Sequence, residues 1–105
     1  MQQYIEDNFS GSINLNELAD LAYSSRRNFI RRFKKATGNT PSEYVQRVRV
    51  EAAKRNLESS IMTVREIVHK VGYEDMPFFR KVFHKYTGLS MSKYRDRYRH
   101  VAAPH

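Results

Sequence analysis

The sequence predicts an all-α domain of about seven helices, two helical subdomains joined by a long central helix. Three observations predict it. A block of residues recurs after a shift of fifty positions. Apolar residues follow helical rather than alternating spacing within each segment. A run from Pro41 to about Ser59 contains no internal breaker and carries two apolar faces. The 105 residues suffice for one domain, or two very small ones sharing a core, in the marginal size range for a hydrophobic core.

The recurrence is specific. Phe29, Phe33, Lys35, Thr37, Gly38, Ser42 and Tyr44 return as Phe79, Phe83, Lys85, Thr87, Gly88, Ser92 and Tyr94. Upstream the shift is forty-nine: Leu15, Glu17, Leu18 and Ala19 match Val64, Glu66, Ile67 and Val68. The one-residue difference must be absorbed between Ala22 and Phe29, in a turn, because an insertion within a helix would rotate every later side chain by about 100°.

Taken in chain order, residues 2–9 predict a short opening helix with Tyr4, Ile5 and Phe9 inward. Leu15, Leu18, Ala19 and Ala22 form the stripe of a second helix. Ser24 or Ser25 then caps a third helix, with Phe29, Phe33 and Ala36 on its inner face and Gly38 as its stop. Pro41 fits the first turn of the connector, where Tyr44, Val45, Val48 and Ala52 face one way and Val50, Ala53 and Leu57 another. Two apolar faces require two cores, so this helix stands between the repeats. In the second copy Val64, Ile67, Val68 and Val71 form the stripe and Gly72 breaks it. Asp75 caps a helix bearing Phe79, Phe83 and Tyr86, and Gly88 ends it. A closing helix follows from Ser92 to about Tyr98. The expected organisation is 1–40, first subdomain; 41–60, connecting helix; 61–98, second subdomain; and 99–105, a disordered tail. Helix, short turn, helix is the helix-turn-helix plan.

Charge narrows the function. Nineteen Lys and Arg against eleven Asp and Glu give +8, which points to a polyanionic partner such as DNA, RNA or an acidic membrane surface. The signs are segregated: residues 1–23 hold Glu6, Asp7, Glu17 and Asp20 without a Lys or Arg. Residues 24–38 hold Arg26, Arg27, Arg31, Arg32, Lys34 and Lys35 without an acid. The absence of cysteine excludes disulfides, thiolate metal sites and cysteine nucleophiles. His69, His84, His100 and His105 show no metal-ligand spacing, and no nucleophile elbow, phosphate loop or paired carboxylates appear. No cofactor is expected, and an enzyme is the weakest reading. No apolar run reaches membrane-span length, and no leader opens the chain, so a cytoplasmic, nucleoid-associated protein is expected.

With Phe29 and Phe33 inward, Arg27, Ile30, Arg31 and Lys34 share the opposite face, and their counterparts are Pro77, Arg80, Lys81 and His84. Arginine on an exposed helix face suits the major groove, where guanidinium bonds guanine bidentately and reaches phosphate. Solvated surface charge is the plain alternative, weakened by an acid-free segment of a basic helix-turn-helix protein. Met76 and Phe78 either pack internally or meet thymine methyls, with packing favoured for Phe78. Ser25, Thr40, Ser42, Ser90 and Ser92 sit at helix N-termini, where amides and hydroxyls hold phosphate or simply cap. Lys34 and His84 extend the phosphate-contacting set.

The runs Leu18-Ala19, Ser25-Arg26-Arg27-Asn28-Phe29 and Arg31 to Gly38, then Pro41, resemble the C-terminal domain of AraC/XylS-type regulators. Ile67-Val68, Gly72-Tyr73, Asp75, Phe79, Phe83 and Gly88 resemble that family's most specific signature. Arg27 to Phe33, with Arg49 to Lys54, are most similar to its GlxA-like branch. One departure is Val68, where the family commonly has alanine. The resemblance implies a bacterial transcription regulator that binds double-stranded DNA sequence-specifically, with two recognition helices in successive major grooves. Base contacts would fall to Arg26, Arg27, Ile30 and Arg31, and to Met76, Pro77, Arg80 and Lys81. It also implies an N-terminal sensing or dimerisation domain, which this chain lacks. Separately, RNA polymerase is an acidic partner that the basic face could meet alongside DNA, and the isolated domain, able to span an asymmetric site alone, is expected to be monomeric. An RNA-binding helical domain and a basic module for an acidic protein partner are the rival readings.

Overall fold

All but the first of the described helices begin on a side-chain cap, and two end on a left-handed glycine. A computed structural model of the chain describes residues 1–11 and 13–99. Among these there are seven α-helices and no strand: α1 (Gln2–Asn8), α2 (Leu15–Leu21), α3 (Arg26–Thr37), α4 (Pro41–Ser59), α5 (Val64–Lys70), α6 (Met76–Thr87) and α7 (Met91–Tyr98). Beyond Arg99, the expected tail lies outside the described residues. The chain divides into two compact units, Met1–Val48 and Arg49–His105, and the division falls inside α4.

In the first unit Ile5, Leu18, Ala19, Phe29, Phe33 and Val45 form the buried core, flanked by Ile13, Leu15, Tyr44 and Val48. Phe33 packs against Phe29 at 5.7 Å and meets Tyr44 edge-on at 5.4 Å and 81°. Such aromatic pairs add about 0.5–1.5 kcal/mol to what burial alone supplies. Ser25, rather than Ser24, caps α3, its hydroxyl accepting from the Asn28 amide at 3.2 Å. The helix stops at Gly38, φ 83°, where a Cβ would meet nothing within 4 Å. Backbone conformation, not lack of room, therefore selects glycine there. A Thr40–Glu43 capping box then opens α4, with Pro41 buried in its first turn.

The second unit repeats these solutions. A Thr63–Glu66 capping box starts α5, and Asp75 caps α6 through the Phe78 amide at 3.0 Å. Phe83 lies 6.2 Å from Phe79 and meets Tyr94 edge-on at 5.6 Å and 88°. Thr87 donates to the Phe83 carbonyl and accepts from the Leu89 amide, as Thr37 does with Phe33 and Asn39. Val50, Ala52, Ala53 and Leu57 of α4 are buried in this unit, with Ile67, Val68 and Val71. Val68 at the family's alanine position is thus accommodated within the core.

Five side chains depart from the positions that periodicity predicts. Ala22 is exposed because α2 has already ended there, so helical phase no longer carries it. Ala36 is exposed in the last turn of α3, which extends past the packed layer. Tyr4 is 39% exposed, and only Ile5 of α1 is fully buried. Tyr86 is half-buried, while Val82 is buried alongside Phe79 and Phe83. Ala52 belongs to the second unit, although helical phase groups it with Tyr44, Val45 and Val48.

The extra residue of the second copy can be placed. The Ser24 amide donates to the Ala19 carbonyl at 3.0 Å, and the Tyr73 amide to the Val68 carbonyl at 3.1 Å. These pairs are forty-nine apart, whereas the caps Ser25 and Asp75 are fifty apart. Glu74 is the insertion.

Candidate nucleic-acid interface

In both units the phenylalanines turn one face of the later helix inward, which fixes what the other face presents. On α3, Arg26, Arg27, Arg31 and Lys34 are exposed and Ile30 is half-buried. The Arg31 guanidinium donates to the Asn28 side chain one turn earlier, at 3.3 Å. On α6, Pro77, Arg80, Lys81 and His84 are exposed and Met76 is half-buried. None of these side chains is buried.

The second unit gathers its residues into an open groove of about 800 Å³. Its lining includes Met76, Arg80, Lys81, His84, Ser90 and Ser92, all singled out from sequence. Val64, Arg65, Lys85 and Met91 complete it, and no acid is among the lining residues. Pro77 and Phe78 are outside that lining. Phe78 is 46% exposed yet sets its ring 5.9 Å from Tyr73, so it packs on one side and is open on the other. Tyr73 in turn stacks on Phe79 at 4.7 Å and lies under the Arg49 guanidinium at 4.7 Å. The start of α6 is thereby held by a layered stack of rings.

The helix-terminal hydroxyls serve as caps. Ser25, Thr40 and Ser90 each accept a backbone amide, from Asn28, Glu43 and Lys93 respectively. Accepting leaves the hydroxyl proton of each able to donate, so capping and phosphate binding are compatible. Ser42 and Ser92 are exposed in the first turns of α4 and α7.

Arg65 and Lys85 were not among the sequence candidates. Lys85 is the repeat partner of Lys35, a usable signal. Arg65 stands on α5, and only the packing of α5 against α6 brings it to the groove.

The family model described as a helix-turn-helix domain matches residues 18–97. The chain belongs to the AraC-type helix-turn-helix family. It is similar to the bifunctional transcriptional activator/DNA repair enzyme AdaA of Bacillus subtilis, 38% identical over 94 residues, covering 90% of this chain and 44% of AdaA. The C-terminal domain of AraT, a response regulator from Geobacillus stearothermophilus, superposes with a TM-score of 0.89 at 27% identity, covering 99% of this chain and 88% of that one. The DNA-binding domain of AdpA, solved in complex with a target DNA, superposes at 0.86 with 32% identity, covering 91% and 86%. This AraC-type chain spans less than half the length of the curated relatives that it matches. No helix among its described residues is long and apolar enough to cross a membrane.

Proposed function

We propose that this chain is the DNA-reading part of a bacterial transcription regulator, binding duplex DNA sequence-specifically with α3 and α6 each in a major groove. The observation that carries this is that both later helices expose basic side chains away from their buried phenylalanines, although Arg31 and Lys81 are the only Lys or Arg pair among those named here that coincides under the repeat. Arg27, Arg31 and Lys34 lie opposite a buried phenylalanine pair, and Arg80, Lys81 and His84 lie opposite its repeat. Arginine and lysine on such a face neutralise phosphates and read guanine edges. The AdpA domain, which binds a target DNA, has the same fold.

In this reading Arg26, Arg27, Ile30 and Arg31 contact bases from α3, and Met76, Pro77, Arg80 and Lys81 from α6. Ser25, Lys34, Thr40, Ser42, His84, Ser90 and Ser92 hold phosphates. Helix α4 joins the two units along the chain. One chain carries both, so it needs no dimer to read an asymmetric site. The chain recognises rather than transforms its ligand. Contact with RNA polymerase fits relatives named as transcriptional activators, such as Btr and RhaS.

Salt dependence tests the proposal. About five to nine phosphate contacts predict a slope of log affinity against log salt between about −4 and −8. A slope near zero, or equal competition by single-stranded RNA, overturns it. Selection from a random duplex pool should return two conserved blocks about 10–11 base pairs apart, the spacing of successive major grooves.

A further inference from the structure

The duplicated unit isolates one acid without a counterpart. In the turn before each reading helix, Tyr23 corresponds to Gly72, Ser24 to Tyr73 and Ser25 to Asp75, which leaves Glu74 extra. The entry to α3 is therefore free of acid and the entry to α6 has two. The two carboxylates differ in employment. Asp75 accepts from the Phe78 amide at 3.0 Å and is committed to the cap. Glu74 is exposed, and it lines a shallow cleft of about 430 Å³ with Arg65, His69, Tyr73 and Met76. Arg65 and Met76 also line the cationic groove, so Glu74 borders the surface assigned to DNA.

A carboxylate at that border weakens attraction to phosphate, yet it is an acceptor beside the N-terminal end of a reading helix, the end that meets base edges. Cytosine offers only its N4 amino donor in the major groove. Guanine presents two acceptors, thymine one, and adenine an acceptor next to its donor. We propose, on the strength of the DNA-binding reading, that Glu74 is a specificity-determining residue of the second unit, accepting from the amino group of a cytosine. Attraction to one base is joined to repulsion of the others, so Glu74 trades general affinity for discrimination.

The test is selection from a pool of duplexes randomised over about 20 base pairs, a length that spans two successive major grooves. The 105-residue chain is compared with its Glu74→Gln and Glu74→Ala variants. The unaltered protein should select cytosine at one position. Glu74→Gln should move that position to adenine, whose N6 and N7 match an amide. Glu74→Ala should leave the position unspecified and bind unrelated duplex about 2–3-fold more tightly at about 0.1 M salt. Identical base preferences in all three proteins, with affinity raised equally on every duplex, overturn the proposal by reducing Glu74 to a surface charge. So does cytosine still selected by Glu74→Gln. A chain that binds no duplex before mutation overturns the DNA reading and this inference together.

Discussion

Tyr23 occupies, at φ 52°, the backbone position that Gly72 fills at φ 103° in the second unit. The left-handed region costs a residue with a Cβ about 1–2 kcal/mol, and glycine almost nothing. Tyr23 is 99% exposed, so its ring repays none of this through packing. Tyr23→Gly should therefore stabilise the chain by up to about 1 kcal/mol after glycine's greater unfolded-state entropy is subtracted. That is a rise of several degrees in melting temperature. Gly72→Ala should cost about 1–2 kcal/mol. A thermal melt in which Tyr23→Gly lowers the midpoint would show that the tyrosine contributes something its exposure conceals.

Arg31 is oriented by Asn28, whose side chain accepts from its guanidinium at 3.3 Å. Asn28 is exposed, and its repeat partner is Phe78, so the second unit has no equivalent brace. Arg31→Ala should weaken binding to a selected duplex by about 1–3 kcal/mol and relax preference at one base pair. Asn28→Ala should relax the same position while leaving affinity for unrelated duplex nearly unchanged, because no charge is lost. Competition titrations against single-base variants of the selected duplex decide this. Equal weakening on every sequence would demote Arg31 to a phosphate contact.

The elements and caps were legible in sequence because their causes are local. Ser25, Asp75, Gly38 and Gly88 act within one turn of where they stand. The fifty-residue recurrence also exposed the paired inner faces, since Phe29 and Phe33 or Phe79 and Phe83 reach the core from any competent helix packing. What periodicity missed depends on neighbours. Ala36 has the right phase, but phase gives a direction and not a partner. Arg65 joins the groove only because α5 packs on α6, which no spacing records. The inserted residue could be confined to a turn from sequence; the Ser24 and Tyr73 amide bonds identify it as Glu74.

The Tyr94 hydroxyl donates to Glu58 at 2.6 Å. Burial, then this hydrogen bond and the charge of Glu58, push its pKa well above the ordinary tyrosine value of 10.0. The folded state thus holds the proton more tightly than the unfolded chain does. The associated stability is intact below about pH 10 and is lost as pH rises from there toward the folded value. Tyr94→Phe should cost about 1–2 kcal/mol near neutrality by removing a partner of a carboxylate. The gap between the two proteins in urea unfolding should narrow above about pH 10. A gap that stays constant to the alkaline limit would rule out this linkage.

Next to it, Arg95 gathers three carbonyls at and just beyond the end of α4, of which Asn56 also accepts from the Ser60 amide and hydroxyl. Its Nε donates to Leu57 at 3.1 Å, and its Nη2 to Ser60 at 3.2 Å and Asn56 at 3.4 Å. The last four carbonyls of a helix lack partners within it and carry the negative end of the dipole, so a cation there answers both needs. A guanidinium can reach several carbonyls from a planar fork, whereas an ammonium is a single point on a flexible stem. Arg95→Lys should consequently keep the charge and still lose about 1.5–3 kcal/mol in urea unfolding. Below the transition, duplex affinity should fall less than about 3-fold, since Arg95 acts on DNA only by holding α7, whose first turn carries Ser92 into the groove. Unchanged stability in the Arg95→Lys variant would mean that these carbonyls are satisfied as well by water. A roughly tenfold loss of affinity with unchanged stability would instead make Arg95 a DNA contact in its own right.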